Sequence, residues 1–218
     1  MTKDELLQEL KNSGVLKNPQ VRKAFENIIR EDFVLPEYQA LAYQNHPLPI
    51  GFGQTISQPY TVAFMLDLLA PKKGEKILEI GAGSGWQTAL LAYVISRERN
   101  QNEKIKNQNL GKIIAIERIP ELVRMAKNNL AKYPQCQESA EVICADGSLG
   151  FKTQAPFDKI IAAASAREIP AAWKEQLKIG GRIVAPVNES IVTVDKISGD
   201  EYKTVEHQGF VFVPLIED

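Results

Sequence analysis

The sequence predicts an α/β domain built on a doubly wound, mostly parallel sheet, with helices at the N-terminal end and an antiparallel C-terminal edge. Three observations predict it. From Lys76 onward short apolar runs alternate with helical periods. The first of these runs enters a glycine-rich turn that opens directly into a helix. After Arg182 two further apolar runs follow with no helical period between them. Sheets of this kind bind ligands outside the carboxyl ends of their strands, at the point where the strand order reverses.

Residues 3–31 read as helical, with Leu6, Leu7 and Leu10 on one face and breaks at Gly14 and Asn18-Pro19. Val21, Ala24, Phe25, Ile28 and Ile29 then recur at three- and four-residue steps. Residues 32–55 carry Pro36, Pro47, Pro49, Gly51 and Gly53 and read as an extended, ordered loop. A helix is expected to begin near Ser57, with Val62, Met65, Leu66 and Leu69 in helical register and Pro59 in the first turn. Strands are expected at Lys76–Ile80, Lys112–Ile116, Glu141–Ala145, Phe157–Ala163, Arg182–Val187, Ile191–Ile197 and Gly209–Leu215. Helices are expected at Trp86–Ser96, Pro120–Tyr133 and Pro170–Leu177. Residues 97–109, rich in Asn, Gln, Lys and Glu, read as a floppy polar insertion. One domain spanning 1–218 is expected: an N-terminal helical and loop region, 1–57, ahead of a core, 58–218.

Composition narrows the function. The net charge is −1, so bulk charge attracts neither nucleic acid nor an anionic membrane. Two cysteines and two histidines without a CxxC spacing leave a Cys/His metal site short of ligands, and no metal is expected. The same cysteine usage suggests reduced thiols and a cytoplasmic home, with Cys144 as inert core. Met1–Glu5 lacks the apolar segment of a signal peptide, and no apolar run approaches the roughly 20 residues that span a bilayer. A monomer is expected.

The chemistry starts at Leu78-Glu79-Ile80-Gly81-Ala82-Gly83-Ser84-Gly85. Glycines after a strand let a ligand approach the backbone. The G-x-G-x-G spacing differs from the G-x-G-x-x-G of dinucleotide binders. By itself the turn is also compatible with a plain strand–helix connection. Two acids add to it. Glu117 ends the second strand, where a carboxylate can accept hydrogen bonds from both hydroxyls of a ribose. Asp146-Gly147 follows the third strand, where a carboxylate can accept from an adenine amino group and glycine lets the base lie close. Either acid alone could be a solvated loop carboxylate.

At Gly51-Phe52-Gly53-Gln54-Thr55-Ile56-Ser57-Gln58-Pro59-Tyr60 the sequence resembles the protein-L-isoaspartate O-methyltransferase family. The likeness extends over roughly 19–216. It includes Ala42-Tyr43, Leu48–Gly51, Leu78–Gln87, Asp146-Gly147, Ala155–Asp158, Gly180–Arg182 and Phe212–Leu215. It departs at Asn45, where the family usually has an acid, at Asn188, where it usually has glycine, and in the long 97–109 insertion.

The resemblance implies a class I S-adenosylmethionine-dependent fold. It also implies methyl transfer from S-adenosylmethionine to the free α-carboxylate of isoaspartyl residues, with S-adenosylhomocysteine as product. It implies a cofactor site drawn from Gln54, Thr55, Ile56, Ser57, Glu79, Gly81, Ala82, Gly83, Ser84, Gly85, Gln87, Glu117, Asp146 and Gly147. The implied substrate side is Ile50, Gln54, Thr55, Ser57, Val213, Pro214 and Leu215. Ser57 is the candidate catalytic residue, orienting the carboxylate rather than attacking it. At a predicted helix start it is equally a candidate N-cap. Trp86 reads as packing and His46 as a loop residue. Three other readings stay open on the sequence: a methyltransferase for RNA or a small molecule, a nicotinamide dehydrogenase, and a non-catalytic adaptor that binds the cofactor-like nucleotide or a protein partner.

Overall fold

The computed structural model describes residues 1–96 and 111–216 of the 218. The expected 97–109 insertion lies outside the described residues. Two helices open the chain. Helix α1 (Lys3–Asn12) starts on a capping box in which Thr2 and Glu5 satisfy each other's backbone N–H. Helix α2 (Pro19–Asn27) starts where the sequence showed a break, because the Asn18 side chain accepts from the Gln20 N–H and Pro19 fills the first turn. A hairpin follows, β1 (Leu48–Gly51) with β2 (Gln54–Ile56), then helix α3 (Pro59–Leu69). Part of the expected loop is therefore an antiparallel pair. Its central turn residues, Phe52 and Gly53, both take positive φ (55° and 70°), as the tight mirror-image hairpin turn requires.

The core continues as β3 (Lys76–Ile80), α4 (Trp86–Ile95), β4 (Lys112–Glu117), α5 (Pro120–Leu130), α6 (Pro134–Ser139) and β5 (Ala140–Cys144). It ends as β6 (Phe157–Ala162), α7 (Ala171–Gln176), β7 (Leu177–Val187), β8 (Ser190–Lys196) and β9 (Tyr202–Gln208). Among the described residues seven strands form one sheet in the order β5-β4-β3-β6-β7-β8-β9. The β5-β4-β3-β6-β7 part is parallel, and β8 and β9 add antiparallel to β7. This is the architecture the alternation predicted. The order reverses beside β3: β4 and β5 are laid down on one side of it and β6 and β7 on the other.

Side-chain parity explains the unbroken apolar strands. Ile77, Ile113, Ala115, Ile161 and Val184 face one core, shared with α1 to α5. Their neighbours Leu78, Ile80, Ile114, Ile116, Ile160 and Ile183 face a second core, under α7 and the fully buried Trp173. A strand buried on both faces must be apolar at nearly every position.

Several boundaries differ from expectation. The final strand is Tyr202–Gln208, not Gly209–Leu215. As the outer edge strand β9 is largely exposed and needs no apolar run, whereas Phe210 and Phe212 are partly buried against the first core without forming a strand. Strand β7 begins at Leu177 rather than Arg182, with a register shift opposite Phe157–Lys159. Helix α6 was not expected. Cys144 is exposed, contrary to the core reading, because β5 is the other edge of the sheet; Cys136 is the buried thiol, and both are free. Among the described residues no helix is long and apolar enough to cross a membrane.

Candidate functional site

The cleft opens at the carboxyl edge of the sheet beside the reversal point. It holds about 880 Å³ of space, counting the part that is open to solvent. Its floor comes from the ends of β3, β4 and β6 and the start of the turn after β5: Ile80, Gly81, Gly83, Ile116, Glu117, Arg118, Ile119, Gly147, Ala163 and Ala164. The hairpin contributes Ile50, Phe52, Gln54 and Thr55, and the C-terminal segment contributes Val213, Pro214, Leu215 and Ile216.

The glycine turn hangs from β4. The Gly81 and Ala82 N–H groups both donate to the Ile116 carbonyl, at 2.8 and 3.0 Å. Gly81, Gly83 and Gly85 take positive φ (84°, 55° and 90°). At Gly83 an added Cβ would also sit 3.2 Å from Ile50 Cδ1, so this glycine lets the hairpin and the turn approach each other. At Gly147 a Cβ would lie 2.4 Å from Ile80 Cγ2, which forces glycine at the floor. The Gly147 carbonyl is pinned from below by the Trp173 indole N–H at 2.9 Å.

Glu117 is 7% exposed and its carboxylate is held at both oxygens. The Gly83 N–H donates to Oε2 at 2.9 Å and the Ile119 N–H donates to Oε1 at 3.0 Å. A carboxylate has about four acceptor positions, so about two stay available on a side chain that lines the cleft. A fixed carboxylate with spare acceptors suits a vicinal diol. The isoleucines, Val213, Pro214 and Leu215 offer apolar surface for a flat base. Glycine backbone at the turn leaves room for a polar tail. These residues fit an adenosine bearing an amino-acid chain.

The other sequence-predicted residues are placed differently. Ile56 is core, 5% exposed. Ala82, Ser84, Gly85 and Gln87 build the turn and the first turn of α4 without lining the cleft. Asp146 caps the short 3-10 turn after β5: Oδ1 accepts the Ser148 N–H and Oδ2 the Ser148 hydroxyl, both at 2.8 Å. Its neighbour Gly147, rather than Asp146, lines the cleft. Ser57 follows the hairpin, half-buried, two residues beyond the lining residue Thr55. It is not the N-cap of α3. That position is Gln58, and the Tyr60 N–H is instead accepted by Asn45 Oδ1 at 3.0 Å.

The departure at Asn45 therefore has a local use. The same amide donates to Glu9 Oε1 at 2.6 Å, which an acid at this position could not do. Asn188 stands in the left-handed region (φ 53°), which explains a preference for glycine there and why asparagine is tolerated.

Glu79 is fully buried beneath the turn. Oε1 accepts from Gln87 Nε2 at 3.1 Å, and Oε2 meets no donor among the described residues. Burial pushes its pKa up to about 7, against the smaller opposing effect of its hydrogen bonds. The folded chain thus binds this proton more tightly than the unfolded chain. The stability it contributes is full in acid and is lost as pH rises from the ordinary carboxylate range through about 7. Glu79→Gln is therefore expected to raise Tm relative to wild type at pH 8, with the difference closing at pH 5. Melts of both proteins across that range check it, and a gap independent of pH would refute the assignment.

Sequence reasoning missed Phe52, Ile80, Ile116, Arg118, Ile119, Ala163, Ala164 and Ile216. Ala163 and Ala164 follow β6 directly, so the rule that ligands sit at carboxyl strand ends could have found them. The C-terminal segment is tied across this edge by the Ser165 N–H to the Val213 carbonyl (2.8 Å) and the Leu215 N–H to the Ser165 carbonyl (2.7 Å).

Comparison with known proteins adds the following. The family model described as protein-L-isoaspartate(D-aspartate) O-methyltransferase matches residues 1–218. A protein-L-isoaspartate O-methyltransferase of Staphylothermus marinus is 39% identical over 215 residues, covering 97% of this chain and 92% of that protein. A solved protein-L-isoaspartate O-methyltransferase superposes with a TM-score of 0.82 at 25% identity, covering 98% of this chain and 65% of the other. A Plasmodium falciparum structure of the same description, in complex with S-adenosyl-L-homocysteine, superposes with a TM-score of 0.86 at 24% identity over the full length of both.

Proposed function

The chain belongs to the protein-L-isoaspartate (D-aspartate) O-methyltransferase family, and on that premise we propose how its own residues divide the work. The protein is an S-adenosylmethionine-dependent repair enzyme that methylates isoaspartyl residues in damaged proteins. The ester forms on the free α-carboxylate and can return through a succinimide to aspartyl.

The observation that carries the division of labour is that the hairpin Leu48–Ile56 and the doubly held Glu117 face the same cleft. Glu117 takes the ribose hydroxyls, and the glycine turn takes the amino-acid tail. Glu79 and Gln87 support that turn from beneath. Gly147 takes the face of the adenine, with Asp146 shaping its turn. Ile50, Gln54, Thr55 and Val213–Leu215 hold the peptide from the two rims.

Bound S-adenosylmethionine supplies an electrophilic methyl group on a sulfonium. The acceptor carboxylate is ionised at neutral pH, so the chain needs no strong general base. The apolar walls at Ile80, Ile116, Ile119 and Val213 would exclude water, and a dry site would favour a reaction that joins an anion and a cation into neutral products. The larger contribution is alignment, worth up to about 7–11 kcal/mol in well-oriented systems. Ser57 contributes to it by orienting the carboxylate with its hydroxyl.

The reading extends to a cytoplasmic monomer acting without nucleic acid. The two free cysteines support the reducing compartment and the net charge of −1 the lack of a nucleic-acid partner. The expected result is methyl incorporation into an isoaspartyl peptide and not into its normal aspartyl twin. Equal labelling of the two, or of neither, refutes the substrate.

A further inference from the structure

Arg30 is a buried cation that does not line the cleft. Its side chain is 1% exposed. Among the described residues it makes no ion pair with a carboxylate. The two adjacent acids are engaged elsewhere: Glu31 accepts from the Tyr43 hydroxyl, and Asp32 accepts from the Tyr133 hydroxyl and Lys132. Burial pulls the guanidinium pKa down to about 9, which leaves it charged at neutral pH.

What surrounds it is backbone oxygen. Nη1 donates to the carbonyls of Ala42 and Gln44, and Nη2 donates to those of His46 (3.2 Å) and Ser57 (3.1 Å). Its carbon centre lies 5.0 Å from the ring centroid of Trp86. Residues 42–47 lie outside any strand or helix, so their carbonyls need donors from elsewhere. Gln58 serves the Asn45 carbonyl and the His46 N–H shares that of Gln44, while the planar Arg30 fork reaches Ala42, Gln44 and His46 at once, which a flexible ammonium does not. Trp86 is the first residue of α4, immediately after the glycine turn. One guanidinium therefore joins the loop that carries Ser57 to the element that carries the cofactor turn.

A buried unpaired charge is a poor way to gain stability alone, since an apolar residue of similar volume commonly does as well. What Arg30 provides is geometry. Its contact at Ser57 is to the peptide carbonyl of the residue whose hydroxyl is assigned to the substrate carboxylate. We propose that Arg30 is a positioning residue for methyl transfer, setting Ser57 relative to the glycine turn through that carbonyl. The proposal rests on the assignment of Ser57 above.

The test is a double-mutant cycle on the full chain, read below the melting range, with an isoaspartyl peptide as substrate. Arg30→Lys keeps the charge and removes the fork. It is expected to bind S-adenosylhomocysteine within about twofold of wild type and to lose at least about tenfold in kcat, since small misplacements of reacting groups can cost about 100-fold. In a Ser57→Ala background the same change is expected to cost less than about twofold. Wild-type kcat in Arg30→Lys, or an equal loss in both backgrounds, overturns the proposal while Ser57→Ala alone stays impaired. Wild-type turnover in Ser57→Ala alone sinks the Ser57 assignment, and this proposal with it. If Arg30→Lys does not fold, Trp86→Leu decides. It removes the surface under the guanidinium, and its kcat loss is likewise expected to vanish without the Ser57 hydroxyl; persistence of that loss overturns the proposal.

Discussion

Ser57→Ala is expected to lower kcat for an isoaspartyl peptide by about 100-fold while moving Tm by less than about 2 °C. The first number is the cost of lost alignment, since a misplacement of about 1 Å between reacting groups can cost about 100-fold. The second follows from the surroundings. A serine at a helix start would normally cap it, and its loss would cost about 1 kcal/mol. Here the capping position is Gln58, and Asn45 takes the Tyr60 N–H. Among the described residues the Ser57 hydroxyl has no hydrogen-bond partner, and its side chain is only half-buried. Changes away from a cap, cavity or buried network stay within about 0.5 kcal/mol, and in a chain of this length 1 kcal/mol corresponds to about 2–4 °C. Activity and stability thus separate, which the sequence alone did not promise. Measured kcat near wild type removes Ser57 from the chemistry. A large fall in Tm would mean that the hydroxyl has a structural task.

The parts of the fold that were legible are those where burial dictates composition. Lys76–Ile80 and Lys112–Glu117 are packed on both faces, so their apolar runs could only be interior strands. The acid at the end of the second run and the glycines at the end of the first followed from strand ends. The outer antiparallel edge was not legible for the same reason, although the other edge strand was. Tyr202, Thr204 and Val205 favour a strand, but the segment is exposed along most of its length and carries no apolar run to reveal it. Glu79 sits on the strand face opposite the lining residue Ile80, so parity alone turns its side chain away from the cleft. Asp146 is followed two residues later by a serine that draws its carboxylate into a local turn. Arg30 was invisible, because an arginine in a helical-looking segment resembles any solvated surface residue until its carbonyl partners are placed around it.

Glu117→Ala is expected to weaken S-adenosylhomocysteine binding by about 100-fold and to change kcat at saturating cofactor by only a few-fold. Two hydrogen bonds to a charged acceptor at about 1.5 kcal/mol each amount to about 3 kcal/mol, and each 1.4 kcal/mol is a factor of ten. The variant also leaves the Gly83 and Ile119 N–H groups without their acceptor, so the turn that meets the amino-acid tail loosens with the loss. Glu117→Gln is not a mild control here. Each oxygen of the native carboxylate already faces a backbone donor, so either orientation of the amide points its NH₂ group at an N–H. Glutamine is therefore expected to lose at least about tenfold in affinity despite its matching shape. Calorimetric titration of all three proteins decides. Alanine within about threefold of wild type would take Glu117 out of the ribose site. A fall in kcat as large as the fall in affinity would place it near the transferred methyl group instead. Glutamine equal to wild type would mean that neither the charge nor the pairing of both backbone donors sets the affinity.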